Sequence, residues 1–86
     1  MRFIVLSTNT ADVSDLLAAE GARAGELMAS GIFVDIWPKA DMSGAVVLAE
    51  TADEAELRQA VETMPTIAAG AGTFEVIALL NTSAPA

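Results

Sequence analysis

With 86 residues, 53% of them hydrophobic and 19% charged, and with neither cysteine nor histidine, the chain reads as one small domain. That composition excludes disulfide, thiolate and imidazole chemistry. Twelve acidic residues against four basic ones give a formal net charge of −8, which repels nucleic acid and anionic membrane and leaves only Arg2, Arg23, Lys39 and Arg58 to attract an anionic ligand.

Residues 2–8 (RFIVLST) are apolar at adjacent positions and partly β-branched, the pattern of a central strand covered on both faces. The start Met1-Arg2-Phe3 runs straight into this strand instead of into a secretory signal, so a cytoplasmic location is expected. No stretch approaches the roughly 20 apolar residues of a membrane span. Asn9-Thr10 offers turn and N-cap chemistry, with Asp12 in the first turn of a helix predicted from Val13 to Met28 and stopped at Ser30-Gly31.

A second strand follows over Ile32–Trp37, ended by Pro38; strict alternation puts Ile32, Val34 and Ile36 on one face and Phe33, Asp35 and Trp37 on the other. Residues 39–44 turn the chain into a third strand, Ala45–Ala49, antiparallel to the second. Thr51-Ala-Asp-Glu54 matches a capping box and places the start of a second helix at Ala52. That helix runs to about Thr63 with Leu57, Val61 and Met64 inward, and Pro65 prevents its continuation. Residues 68–72 are a glycine-containing loop that matches no phosphate-binding pattern. Residues 73–80 form the fourth strand and residues 81–86 a flexible C-terminal tail.

The resulting order, β-α-β-β-α-β, is that of an α+β, ferredoxin-like domain over residues 1–80 with a four-stranded antiparallel sheet. Two helices cover one face of such a sheet. Here both faces are apolar: Phe3 and Val5 alternate with Ile4 and Leu6, and Phe74 and Val76 with Ile77 and Leu79. The hydrophobic share also exceeds the usual ~45–50%. A second copy facing the open side would bury the excess, so a homodimer or larger ring, a dimeric α+β barrel, is expected.

One residue violates the helical pattern. At about 100° per residue, Val13, Leu16, Leu17, Ala24, Leu27 and Met28 share a stripe on the first helix, and Glu20 falls in its middle. A carboxylate facing a core finds hydrogen-bond donors, takes up a proton, or lines a cavity shared by water and a ligand. Packing that loosens after Leu17, or a side chain that snorkels past Ala19 and Ala24, would account for the same residue without a site.

Residues 20–65 resemble the muconolactone isomerase family without a gap. Glu20 matches a helical Glu of that family, Leu27 and Gly31 match the Leu and Gly that end the helix, Phe33 and Trp37 match aromatics that bracket a His, and Met64-Pro65 matches a Leu-Pro. Asp35 occupies the place of the His, and the aromatic, proline-containing segment that follows Leu-Pro is replaced by residues 66–72. The resemblance implies a cofactor-free protein with a pocket between helices and sheet, taking a small-molecule substrate. The family's reaction moves a proton on an unsaturated lactone and needs a base and an acid but no metal.

On that basis Glu20, desolvated in a partly dry pocket, is the candidate base and Asp35 the second proton-transfer group. The stronger reading of Asp35 from the residues alone is a charge that protects an edge strand. Trp37 and Phe33 are candidate ring contacts, with core packing as the alternative. Arg23 either pairs with Glu20 or Glu26 on the helix surface or anchors a ligand carboxylate. The expected function is a cofactor-independent isomerase or cyclase acting on a small cyclic carbonyl or lactone substrate. A non-catalytic binding or assembly module and a cofactor-free monooxygenase of the same fold are the alternatives.

Overall fold

A computed structural model describes residues 1–80, and the tail expected over residues 81–86 lies outside them. Four antiparallel strands, β1 (Arg2–Asn9), β2 (Phe33–Pro38), β3 (Ala45–Glu50) and β4 (Gly72–Leu79), form one sheet in the order β2-β3-β1-β4. Helices α1 (Leu17–Ala29), α2 (Glu54–Glu62) and the short α3 (Pro65–Ala68) complete the α+β, ferredoxin-like arrangement. Among the described residues no helix is long and apolar enough to cross a membrane.

β1 is central, as its two-sided apolar character predicts, and pairs Val5 with Val47 on one side and with Val76 on the other. Phe3, Val5, Val47, Ala49 and Phe33 are buried on the helix-covered face together with Leu27, Leu57, Val61 and Met64. This core fills the end of the sheet where β1 begins. On the opposite face the pairing places Ile4 beside Leu48 and Ile77, and Leu6 beside Val46, so the second apolar face exists as expected.

Strict alternation fails in β2. Phe33 pairs with Ala49 but Asp35 with Leu48, and the register shift between them leaves Val34 as an extra, bulged residue. Phe33 and Ile36 therefore both point to the core, whereas Asp35 and Trp37 stand on the open face, Trp37 at 49% exposure. The expectation that Phe33 shares a face with Asp35 and Trp37 is corrected by this bulge, because one inserted residue inverts the facing of everything beyond it.

The helix starts also differ from the pattern read in sequence. Asn9 belongs to β1, and Asp12 accepts a bond from the Ser14 amide (2.9 Å) ahead of a 3-10 turn, Ser14–Leu16, so that α1 proper begins at Leu17. The cap of α2 is Asp53, whose carboxylate accepts from the Glu56 amide (2.8 Å), not Thr51. Thr51 is instead buried and tied by its backbone to Met1, while its hydroxyl donates to the Asp53 carbonyl. The end of α1 follows the sequence closely. Gly31 takes φ +84°, its amide donates to the Met28 carbonyl and the Ile32 amide to that of Leu27, the paired bonds of a left-handed helix cap.

Candidate functional site

The end of the protein where β1 finishes is built differently from the core. There α1 begins, β2 and β3 are joined by residues 39–44, and α3 packs against α1. Between them lies a cavity of about 260 Å³. Its roof is Val13, just ahead of the 3-10 turn, and Leu17, Glu20, Gly21 and Ala24 of α1. Its floor is the sheet, from Ser7 and Val47 to Phe33 and Ile36, and its far wall is Met64, Thr66 and Ile67. Small residues make the space: Gly21, where an added Cβ would meet nothing within 4 Å, and Ala24 above cannot fill the gap between a helix and a sheet.

Glu20 is the one ionisable side chain among the lining residues described. It is half-buried. Its Oε1 accepts a hydrogen bond from the Thr66 backbone amide at 2.8 Å. That amide is free to donate because Pro65 opens α3 at its first position, where a missing N–H costs nothing, and the next N–H lacks a partner within the helix. The second carboxylate oxygen makes no hydrogen bond among the described residues and is not sealed away from the space around it. Among the other polar groups of the wall, the Ser7 hydroxyl accepts from the Ala45 amide (3.0 Å), the Asn9 side chain donates to the Met42 carbonyl (3.4 Å) and the Thr8 hydroxyl accepts from the Lys39 ammonium (3.4 Å), whereas the Thr66 hydroxyl makes no hydrogen bond among the described residues.

The turn at the cavity's edge is held tightly. Asn9 donates its amide to the Ser43 carbonyl (2.7 Å), and Asp41 accepts from both the hydroxyl (2.6 Å) and the amide (3.0 Å) of Ser43. Those bonds, the hydroxyl first and the amide second, hold the Asp41 carboxyl below its ordinary value of 3.8. The Ser14 amide lowers Asp12 in the same way. Gly44 is required here because a Cβ would run into the Ser7 carbonyl.

Of the residues singled out in sequence, Glu20 and Phe33 line this cavity. Asp35 and Trp37 stand on the opposite face of the sheet, where the Asp35 side chain accepts from the Ile36 amide (2.9 Å). Arg23 is not among the lining residues; its Nε donates to the Thr63 hydroxyl (2.9 Å) and its guanidinium meets Glu26 at 3.2 Å rather than Glu20. Thr66, the partner of Glu20, was not visible in sequence, because Pro65 reads as a helix stop whereas it is also a helix start. Met42 was missed as well. It has φ +61°, is 67% exposed and borders the cavity from the turn.

Residues 4–82 match the family model described as muconolactone delta-isomerase. Among solved structures, the chain is similar to 5-chloro-2-hydroxyhydroquinone dehydrochlorinase from Burkholderia phenoliruptrix, in complex with 2,5-dihydroxybenzoquinone. The TM-score is 0.78 at 21% identity, covering 93% of this chain and 94% of that one. A crystal structure of muconolactone isomerase is similar at the same TM-score of 0.78 and 21% identity, over 92% of this chain and 88% of that one. At this identity the two structures speak for the fold. No curated protein matches the sequence at a significant level.

Proposed function

Because the chain belongs to the muconolactone delta-isomerase family, we propose that it moves a proton on a small cyclic carbonyl or lactone substrate held in the cavity, without a cofactor. The observation that carries this reading is the position of Glu20: a single carboxylate on an otherwise uncharged wall, fixed through one oxygen and open through the other. The bond from Thr66 orients the group before any ligand arrives, and such preorganisation is what a proton-transfer site requires.

In the proposed step the open oxygen of Glu20 takes a proton from a ring carbon whose C–H is acidified by the conjugated carbonyl. The C–H electron pair moves into the ring and onto the carbonyl oxygen as an enolate. The double bond then re-forms one position along as the carboxyl returns the proton to another ring carbon. No electrons are gained or lost, and one carboxylate serves as base and then as acid.

Pairing of two copies through the open sheet face belongs to the same proposal. It would cover Ile4, Leu6, Val46, Leu48 and Ile77 and enclose Asp35 and Trp37. Within one protomer these last two are separated from Glu20 by the sheet, so any part they take is in a compartment that a second copy completes.

Glu20→Gln tests the catalytic assignment. The amide oxygen still accepts from Thr66, so folding by circular dichroism is expected to be unchanged, while the rate of proton shift on an unsaturated lactone, read by NMR in D2O, falls by about 10²–10⁴. The second reading, a non-catalytic binding module, is favoured by the Glu20–Thr66 bond itself, which ties α1 to α3 as a strut would. A variant that loses stability but keeps its rate per folded molecule establishes the strut and ends the catalytic reading.

A further inference from the structure

The cavity contains a carboxylate and no cation to balance it among the described residues. The chain has only four basic side chains, and each is engaged elsewhere. Arg2 pairs with Glu50 and Arg58 with Glu54, both on the surface. Arg23 is divided between Thr63 and Glu26. Lys39 comes nearest, its ammonium 3.4 Å from the Thr8 hydroxyl at the cavity's rim, but it is not a lining residue. Of the other polar lining groups, the Ser7 hydroxyl is engaged with Ala45 and one side-chain N–H of Asn9 with Met42, so what is left to meet a ligand is neutral: the rest of the Asn9 amide and the Thr8 and Thr66 hydroxyls.

A ligand entering this space meets an aliphatic and aromatic wall, the open oxygen of Glu20 and a chain of formal charge −8. An anionic group carried inside would give up its hydration, find no counter-charge and face a like charge. The volume adds a size. A dry apolar cavity of about 150 Å³ holds a single benzene ring, so the present 260 Å³ suits one substituted ring or two fused ones.

We infer that the substrate is an uncharged cyclic carbonyl compound, one substituted ring or two fused rings, and not a carboxylate-bearing one. The inference rests on the proton-shift reading for its site and adds the chemical class that the site accepts.

The test uses two probes that share one ring: 5-methylfuran-2(5H)-one, which is neutral, and its 5-carboxymethyl counterpart, which is anionic at neutral pH. Binding is read from chemical-shift changes at the methyl groups of Ala24, Met42 and Ile67 in the full chain, independently of turnover. The neutral probe is expected to bind at least about tenfold more tightly than the acid, and 2-coumaranone, a neutral fused-ring lactone, at least as tightly as the methyl compound. Glu20→Gln should narrow the gap between neutral and acid by relieving the acid. Lys39→Met should leave the neutral affinity unchanged.

Equal or tighter binding of the acid, a tighter acid lost in Lys39→Met, or binding of neither ring up to millimolar concentration overturns the assignment. Failure of the catalytic reading looks different: the neutral ring then binds in the cavity, and wild-type protein and Glu20→Gln both leave its protons in place. An acid that binds and is turned over sinks the substrate class and leaves the proton shift standing.

Discussion

The two long helices occupy corresponding places in the two halves of the fold and are packed in opposite ways. α2 presents Leu57, Ala60 and Val61 to the sheet at 0%, 8% and 3% exposure. α1 buries only Leu27 to that degree, and Leu17, on the same stripe, is left 54% exposed. An amphipathic stripe therefore does not guarantee a packed helix. What decides is the side-chain volume along it: α2 projects branched residues into the core, whereas α1 carries Gly21 and Ala24 around Glu20, and the gap they leave is the cavity.

The sharpest way to break this contrast is to truncate one leucine on each helix. Leu57→Ala removes a fully buried side chain from the core between α2 and the sheet. It is expected to cost about 2–5 kcal/mol of stability in urea unfolding. Leu17→Ala, on the same kind of stripe, is expected to cost under about 1 kcal/mol, because more than half of the side chain already faces solvent. Equal losses from the two would mean that α1 is held by its first half and that the hollow beneath it closes in solution.

Filling the gap sharpens the same contrast from the other side. Ala24→Leu adds three carbons at a roof position of the cavity. Stability is expected to hold or to rise by about 0.5–2 kcal/mol, as in other cavity-filling changes, while affinity for a neutral lactone falls by about tenfold or more. A variant that is less stable and binds as before would place the ligand elsewhere.

The sequence made the succession of strands and helices along the chain, the central β1, the two apolar faces and the end of α1 legible, because each rests on a local signal: alternation, a glycine, a proline. It also made Glu20 conspicuous, since a charge in the middle of an apolar stripe is visible without coordinates. It could not supply what depends on pairing between distant residues. The bulge at Val34 is enforced by register against Ala49 and Leu48 and carries no residue signature of its own. Thr51 reads as a cap by spacing, but its backbone is claimed by Met1, so Asp53 takes the role two residues later. The partner of Glu20 is a backbone amide 46 residues away, which no side-chain pattern announces.

The smallest expected effect concerns the two aspartates that anchor the cavity end, Asp12 before α1 and Asp41 in the turn between β2 and β3. Both are depressed below 3.8 by hydrogen bonds that the folded chain holds in place, from Ser14 and from Ser43. A depressed carboxyl stabilises the native state fully above its unfolded value, and that stabilisation is lost as pH falls through the folded value. These two ties are therefore expected to act unweakened at neutral pH and to loosen only below 3.8, with the Ser14 and Ser43 amide signals shifting together in an NMR acid titration. Both carboxyls are solvent-exposed, so global stability should change little over that step while the cavity end loosens ahead of the core around Leu57. Titration midpoints at or above 3.8 would show that the bonds from Ser14 and Ser43 are not kept in solution, and would leave the turn held by its backbone bonds alone, Asn9 to Ser43 and Lys39 to Gly44.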